Sequence, residues 1–160
     1  ATAGGLRLPL VYNTGGYDAL ETLELLDGVV DVYMPDAKYG LEGLGEALSG
    51  APDYERVNRE AIAAMHAQVG DLELDSGGLA VRGLLVRHLV LPGMPENTDS
   101  VLRFLAEEVS PNTFVNVMAQ YRPCYQALRH PPLDRALPRD EHARALGFAR
   151  DLGLWRAYEA

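Results

Sequence analysis

The most constraining feature of this sequence is a strand-like segment followed by a helix-like segment, repeated four times along the chain. Short apolar, β-rich runs end in turn residues, and the stretches after them carry apolar residues every three or four positions. This order predicts parallel strands joined by right-handed crossovers. The fold class is therefore α/β, either a doubly wound sheet or part of a barrel.

The pattern also sets the expected bounds of the elements. Strands are predicted over residues 8–14, 29–38, 83–91 and 113–121, with a small hairpin over 72–74 and 79–81. Helices are predicted from 18 to 27, 53 to 69, 97 to 109 and 140 to 152. Asp18 and Glu21 have the spacing of a capping box, and Asn97 or Thr98 is the expected cap of the third helix. Residues 39–52 and 122–138 read as loops, the first with one short helical turn.

Composition excludes several classes of partner. The chain has 14 basic and 23 acidic residues and a formal net charge of −9, which argues against a nucleic-acid or anionic-membrane surface. Its longest apolar stretch is interrupted by Arg87 and His88, too early for a membrane span. The one cysteine, Cys124, excludes a disulfide framework and any Cys-rich metal or iron–sulfur site built by this chain alone. A cytoplasmic protein is the expectation.

The ends of the four predicted strands are polar or rich in glycine, and in parallel α/β folds ligands bind at these ends. Asp36 and Lys38 follow the second strand two positions apart, so their side chains point to the same face. Thirteen of the fourteen basic residues are arginine, and Lys38 is the one lysine. Lysine differs from arginine as a compact donor whose amine can be deprotonated when buried. This favours a function for Lys38, and an ordinary Asp–Lys pair tying a loop is the alternative.

Other candidates carry weaker signals. Arg87 and His88 alternate in the third strand, so one faces the interior layer and the other faces the helices. Cys124 has no base that can be assigned to it, which is typical of an inert thiol. His66 lies on the polar flank of its helix and is expected at the surface, and His130 and His142 have no second ligand at metal spacing.

Four runs of sequence at the strand ends point to a known family. They are LVYNTGGY (10–17), DVYMPDAKY (31–39), RGLLVRHLVLPG (82–93) and QYRP (120–123), with APDY (51–54) between them. In order and spacing they resemble the radical S-adenosylmethionine (SAM) superfamily. The branch they resemble most is that of the activating enzyme of pyruvate formate-lyase, with its uncharacterised members.

The resemblance implies an incomplete (β/α)6 barrel, of which residues 1–160 supply the last four β-α units as one domain. In this family the D-x-K after the fourth strand helps to hold SAM, and it falls on Asp36 and Lys38 here. Arg87 matches an arginine of the fifth strand, and Asn13 corresponds to the N-G turn after the third strand. The expected cofactor-binding residues are therefore Asp36, Lys38, Asn13 and Arg87. At the tip of the last strand the family has a histidine, where this chain has Gln120 or Tyr121.

The larger departure is the family's C-x-x-x-C-x-x-C motif, whose three thiolates bind a [4Fe–4S] cluster. This motif and the G-G-E of the second strand do not occur in the sequence, and both are expected upstream of Ala1. The whole enzyme would reductively cleave SAM to a 5′-deoxyadenosyl radical for hydrogen abstraction. The implied partners are SAM, an electron donor such as flavodoxin or ferredoxin, and a glycyl radical enzyme or a small molecule as substrate. The 160 residues alone are expected to be inactive.

Two readings do not use the resemblance. Lys38, desolvated beside Asp36 at a barrel mouth, could form a Schiff base as in aldolases. The chain could also be a non-catalytic interaction module, an open half-barrel that needs a partner at its exposed strand edge.

Overall fold

The structure is a computed structural model that describes residues 5 and 7–158. Its strands are β1 (Val11–Thr14), β2 (Val32–Pro35), β3 (Glu73–Leu74), β4 (Ala80–Leu89) and β5 (Phe114–Met118). Its α-helices are α1 (Leu20–Leu26), α2 (Leu44–Ser49), α3 (Tyr54–Val69), α4 (Pro95–Phe104) and α5 (Arg139–Asp151). A π-helical turn, Leu105–Val109, extends α4, and 3-10 turns cover Tyr125–Arg129 and Trp155–Tyr158.

Four strands form a parallel sheet in the order β1-β2-β4-β5, which confirms the α/β class and the parallel strands. Tyr33 of β2 aligns with Tyr12 of β1 and with Leu84 of β4, and Arg87 of β4 aligns with Asn116 of β5. The short strand β3 pairs antiparallel with the beginning of β4. The carboxyl ends of β1, β2, β4 and β5 therefore lie along one edge of the sheet.

The two faces of this sheet have different surroundings. Tyr33, Leu84, Val86 and Val115 lie on one face, are fully buried, and belong to one core cluster with residues of α1, α3, α4 and α5. On the other face, the side chains near the carboxyl ends of the strands are only half-buried. These are Met34, Asp36, Leu85, Arg87, Leu89 and Asn116. Because side chains alternate along a strand, the helices cover one face and leave the other open.

The predicted hairpin is present, but its second arm and the predicted third strand form one strand rather than two. β4 runs without interruption from Ala80 to Leu89, and its first residues pair with β3. Gly83 makes this possible because it has a φ of +113°, where a Cβ would collide with the backbone of Asp71 and Leu72. The prediction began the third strand at this glycine, which instead lies inside β4.

The expected capping box at α1 is wrong. The residue before α1 is Ala19, and no side chain caps this helix. Asp18 instead accepts hydrogen bonds from the hydroxyls of Tyr12 at 2.9 Å and Thr14 at 2.7 Å. The carboxylate is used to tie the end of β1 to the turn that follows it, and is therefore not available to the helix.

The expected cap of α4 is also wrong. The helix begins earlier, with Pro95 in its first turn, where a missing N–H costs nothing. Asn97 and Thr98 consequently lie inside the helix, fully buried, and their side chains bond to other elements. Among the residues that the structure describes, no helix has the length and apolar character needed to cross a membrane.

Candidate functional site

The chain after β2 is held between two neighbouring strands. Asp36 N–H donates to the carbonyl of Thr14 in β1 at 3.0 Å, and Ala37 N–H donates to the carbonyl of Arg87 in β4 at 2.8 Å. Asp36 and Arg87 also form an isolated bridge in parallel register. This pairing places the side chains of Asp36 and Arg87 next to each other on the open face of the sheet.

Three charged side chains meet at this point. The Asp36 carboxylate contacts Lys38 Nζ at 2.9 Å through Oδ2 and Arg87 Nη2 at 2.6 Å through Oδ1. The Asp36 side chain is 16% exposed, that of Arg87 29% and that of Lys38 41%. One carboxylate thus lies between two cations, and the group carries one net positive charge at a partly covered strand end. We call Asp36, Lys38 and Arg87 the charged trio.

The trio keeps unused hydrogen-bonding capacity. Arg87 Nε is buried without a hydrogen-bond partner among the described residues, and the Asp36 Oδ1 contact lacks hydrogen-bond geometry. A buried donor without an acceptor is costly, and such groups occur at binding sites. The trio is therefore suited to a ligand that brings both an anionic group and hydroxyl or amine donors.

Asn13, the fourth predicted site residue, lies apart from the trio. It aligns with Met34 and so faces the same open side of the sheet, at the end of β1. Its side chain is exposed and makes no hydrogen bond with the part of the chain that the structure describes. The structure therefore brings together three of the four predicted residues and leaves Asn13 one strand away.

Helix α3 holds the backbone of the site from one side. The buried Tyr54 hydroxyl accepts from Lys38 N–H at 3.1 Å and lies 3.2 Å from the carbonyl oxygens of Gly15 and Asp36. One turn later, Asn58 donates to the carbonyls of Gly16 at 2.8 Å and Asp36 at 2.9 Å. Burial raises the pKa of Tyr54, so its hydroxyl stays protonated at physiological pH. These two side chains join the ends of β1 and β2.

Helix α4 holds the same segment from the other side. Asn97 accepts from Gly40 N–H at 2.8 Å and donates to the Lys38 carbonyl at 3.0 Å, and Ser100 donates to the Gly40 carbonyl at 2.7 Å. His88 lies below them, 2.7 Å from the carbonyl of Ala37. The backbone of residues 36–40 is thus bonded on both sides, which fixes the position of the charged trio.

Sequence reasoning missed the residues that hold the trio in place. Asn58 carried a usable signal, because it lies at the i+4 position from Tyr54 on the apolar face of α3, where a buried amide requires partners. Asn97 carried no such signal, because it has the form of a helix cap. For Arg87 and His88 the alternation was informative: His88 faces the helices and Arg87 faces the open side.

Two of the remaining histidines, His66 and His142, have structural partners. His66, expected at the surface, is half-buried and lies 3.0 Å from Asp71. Burial alone would raise the pKa of Asp71, but hydrogen bonds with His66, Ser110 and Asn112 outweigh this effect, and the pKa of Asp71 is lowered. His142 donates to the Val117 carbonyl at 2.9 Å. No three His, Cys, Asp or Glu side chains in the described part of the chain are placed to hold a metal ion.

Comparisons with known proteins add one relative. No family model matches the chain, and no solved structure matches it. It is 34% identical over 154 residues to an uncharacterized protein of Methanocaldococcus jannaschii. The match covers 96% of this chain and 41% of that protein, so the chain spans about two fifths of the length of its curated relative. The similarity therefore extends over nearly the whole fold and brings no activity with it.

Proposed function

We propose that this chain is part of a radical SAM enzyme of the branch that includes the activating enzyme of pyruvate formate-lyase. In this proposal it supplies four β-α units of an incomplete (β/α)6 barrel. Two features support the barrel: the four parallel strands have their helices on one face, and the open face carries the polar residues. In a barrel that open face would line the interior, and substrates and cofactors of such folds bind at its carboxyl-terminal end, where the charged trio lies.

The observation that carries the proposal is the charged trio at the carboxyl edge of the sheet. SAM offers an α-carboxylate, an α-amino group and ribose hydroxyls. Lys38 and Arg87 would hold the anionic group, and the Asp36 carboxylate would accept hydrogen bonds from the donors. The side chains of α3 and α4 that bond to the backbone of residues 36–40 keep these groups in place before the ligand binds, which lowers the entropic cost of binding.

The iron–sulfur cluster does not fit the residues described. Its three thiolates cannot come from a chain with one cysteine, and Cys124 is exposed in the loop after β5. We therefore assign this chain a part in holding SAM and no part in electron transfer. In the proposal, the cluster is held by residues of a longer protein, and the electron donor and the substrate that loses hydrogen are separate molecules. The greater length of the M. jannaschii relative is consistent with this division.

Titration of the 160-residue chain with SAM by calorimetry tests the proposal. We expect saturable but weak binding, with a Kd of roughly 0.1–1 mM, because half of the expected contacts are missing. Asp36→Ala and Lys38→Ala should each weaken binding about tenfold, as expected for loss of a charge-assisted contact.

Arg103→Ala is the control, because it removes an equally charged residue from an exposed ion pair with Asp99 on α4. Its SAM affinity should stay within about twofold of the unchanged chain. Binding that ignores both trio substitutions, or no saturable binding up to about 5 mM, would contradict the proposed role. Binding in the nanomolar range would contradict the expectation that this chain supplies only part of the SAM site.

The Schiff-base alternative has less support from the site. A lysine that attacks carbonyl groups is activated by desolvation or by a neighbouring cation. Lys38 is 41% exposed and so is not desolvated, and the Asp36 carboxylate lies between its amine and the cation of Arg87. The interaction-module alternative is favoured by the outer edge of β1, which has no strand partner among the described residues.

A further inference from the structure

A cleft of ≈ 620 Å³ lies beside the charged trio at the same edge of the sheet. One wall begins at Tyr39, the residue after Lys38, and continues into α2. The floor includes Leu91, just past the end of β4, and the far wall is the loop over residues 121–133. The volume falls in the range of about 300–1,000 Å³ that is typical of sites for small molecules.

The lining of the cleft is aromatic and uncharged. Tyr39, Tyr121 and Tyr125 line it together with Leu91 and Leu133. None of the described residues that line it is Asp, Glu, Lys or Arg. Tyrosine rings stack on planar ligands, whereas a charged ligand would lose its hydration here without gaining a counter-charge. The lining therefore suits a planar, neutral molecule.

The walls are held in position before any ligand binds. Tyr39 packs edge-on against Tyr54, with ring centroids 5.1 Å apart, and its hydroxyl lies 2.6 Å from Ser49 Oγ. Across the cleft, the Tyr121 hydroxyl donates to the Leu133 carbonyl at 2.8 Å and closes the loop on itself. The loop over residues 121–133 carries three prolines, which further restrict its backbone.

Tyr125 has a conformation that its own contacts do not explain. Its φ is +51°, a left-handed conformation unfavourable for a bulky side chain, and its side chain is 88% exposed at the cleft. A glycine would adopt this φ freely, so stability alone does not favour tyrosine here. Strain of this kind is concentrated at functional sites, where it places a side chain for a ligand.

We propose that this cleft binds a small, uncharged aromatic molecule between Tyr39 and Tyr121, with Tyr125 closing over its open side. His130 and the tyrosine hydroxyls provide the few polar groups that orient such a ligand. This binding does not depend on what the charged trio holds. If the trio does hold SAM, the ligand of the cleft lies at the same edge of the sheet.

Three matched probes test the proposal in the absence of SAM: naphthalene-methanol (neutral), naphthoate (anionic) and naphthylmethylamine (cationic). Each is titrated into the 15N-labelled 160-residue chain in about 0.15 M NaCl, which screens the net negative charge. We expect saturable amide shifts in residues 47–50 and 121–133. The neutral probe should bind at least about fivefold more tightly than either charged probe. A charged probe that binds as tightly, or no cleft shifts with any probe up to about 5 mM, overturns the proposal.

Tyr125→Gly separates a binding role from a structural one. It removes the ring and relieves the strained φ, so the variant should keep or raise the Tm while its affinity for the neutral probe falls at least about fivefold. Leu128→Ala is the matched control, because Leu128 is 65% exposed on the same 3-10 turn and does not line the cleft. Unchanged affinity in Tyr125→Gly, a lower Tm together with lost binding, or an equal loss in Leu128→Ala each overturns the proposal.

Discussion

His88 is buried, and the chemistry of its neighbours determines which ring nitrogen carries the proton. Nδ1 lies 2.7 Å from the Ala37 carbonyl, which can only accept, so Nδ1 is the protonated nitrogen. Nε2, 3.0 Å from Thr98 Oγ1, then accepts from that hydroxyl. The ring thus links β4, α4 and the strand end that carries Asp36. Desolvation lowers its pKa from 6.5 to about 4, so the ring is neutral at physiological pH.

This burial predicts a pH dependence of folding stability. Because the folded-state pKa of His88 is below its unfolded value, the unfolded chain binds the extra proton between about pH 6.5 and about pH 4. The contribution of His88 to folding stability is complete above about pH 6.5. It falls by about 3 kcal/mol between about pH 6.5 and about pH 4, and it changes no further at lower pH. Urea denaturation at several pH values measures the effect.

His88→Gln is the control for this prediction, because an amide keeps polar groups in place and does not titrate. The free energy of unfolding of the variant should lose about 3 kcal/mol less between the two pH limits. An NMR titration of the His88 ring reports the folded-state pKa directly. Equal pH slopes in the two proteins, or a ring that titrates near 6.5, would refute the prediction.

Helix α4 supports the site as well as covering the core. Its buried side chains include Asn97 and Thr98 alongside Val101, Leu102 and Phe104. Asn97 bonds to two backbone groups of the segment after β2, which lies 57 to 59 positions earlier in the sequence. An early start at Pro95 is what turns these polar residues toward that segment. The element therefore couples the end of β2 to the rest of the fold.

Asn97→Ala should destabilise the protein by about 2–4 kcal/mol, because it leaves the buried Gly40 N–H and the partly buried Lys38 carbonyl without these partners. Asp99→Ala lies two positions later on the same helix and breaks only an exposed pair with Arg103. It should change stability by less than about 0.5 kcal/mol. Chemical denaturation of both variants measures the free energy of unfolding. If Asn97→Ala loses no more of it than Asp99→Ala, the two hydrogen bonds of Asn97 are not needed for stability.

At the scale of the whole molecule, the helices cover one face of the sheet and the charged trio lies on the other. The outer edge of β1 is open as well, with Val11 55% exposed and Leu8 75% exposed just before it. An unpaired strand edge with apolar side chains readily pairs with another chain. The net charge of −9 makes the chains repel one another at low salt. Added salt screens this repulsion, so self-association should increase with salt concentration.

We therefore expect the 160-residue chain to form dimers or larger species at roughly 0.1–0.5 mM protein in about 0.15 M NaCl. Val11→Lys should shift the population toward monomer, because a charge on an edge strand blocks pairing. Val29→Lys adds the same charge at an equally exposed position outside the strands, 51% exposed, and should have little effect. Sedimentation velocity distinguishes these results. A chain that is monomeric throughout, or equal effects of both substitutions, would rule out β1 as the interface.

The sequence by itself determined the order of the elements, the parallel sheet and the edge where polar residues collect. These follow from hydrophobic periodicity and from turn residues, which act over a few positions and can be read locally. It also placed Asp36 and Lys38 on one face, because side chains alternate along a strand.

Only the tertiary structure decided how that edge is held and what surrounds it. Strand register brought Arg87 to Asp36, and helix docking brought Asn58 and Asn97 to the backbone after β2. The cleft beside the trio forms between loops that are some eighty residues apart in the chain, around Tyr39 and Tyr121. Such contacts depend on how several elements pack at once, and hydrogen-bond partners far apart in sequence leave no local pattern to read.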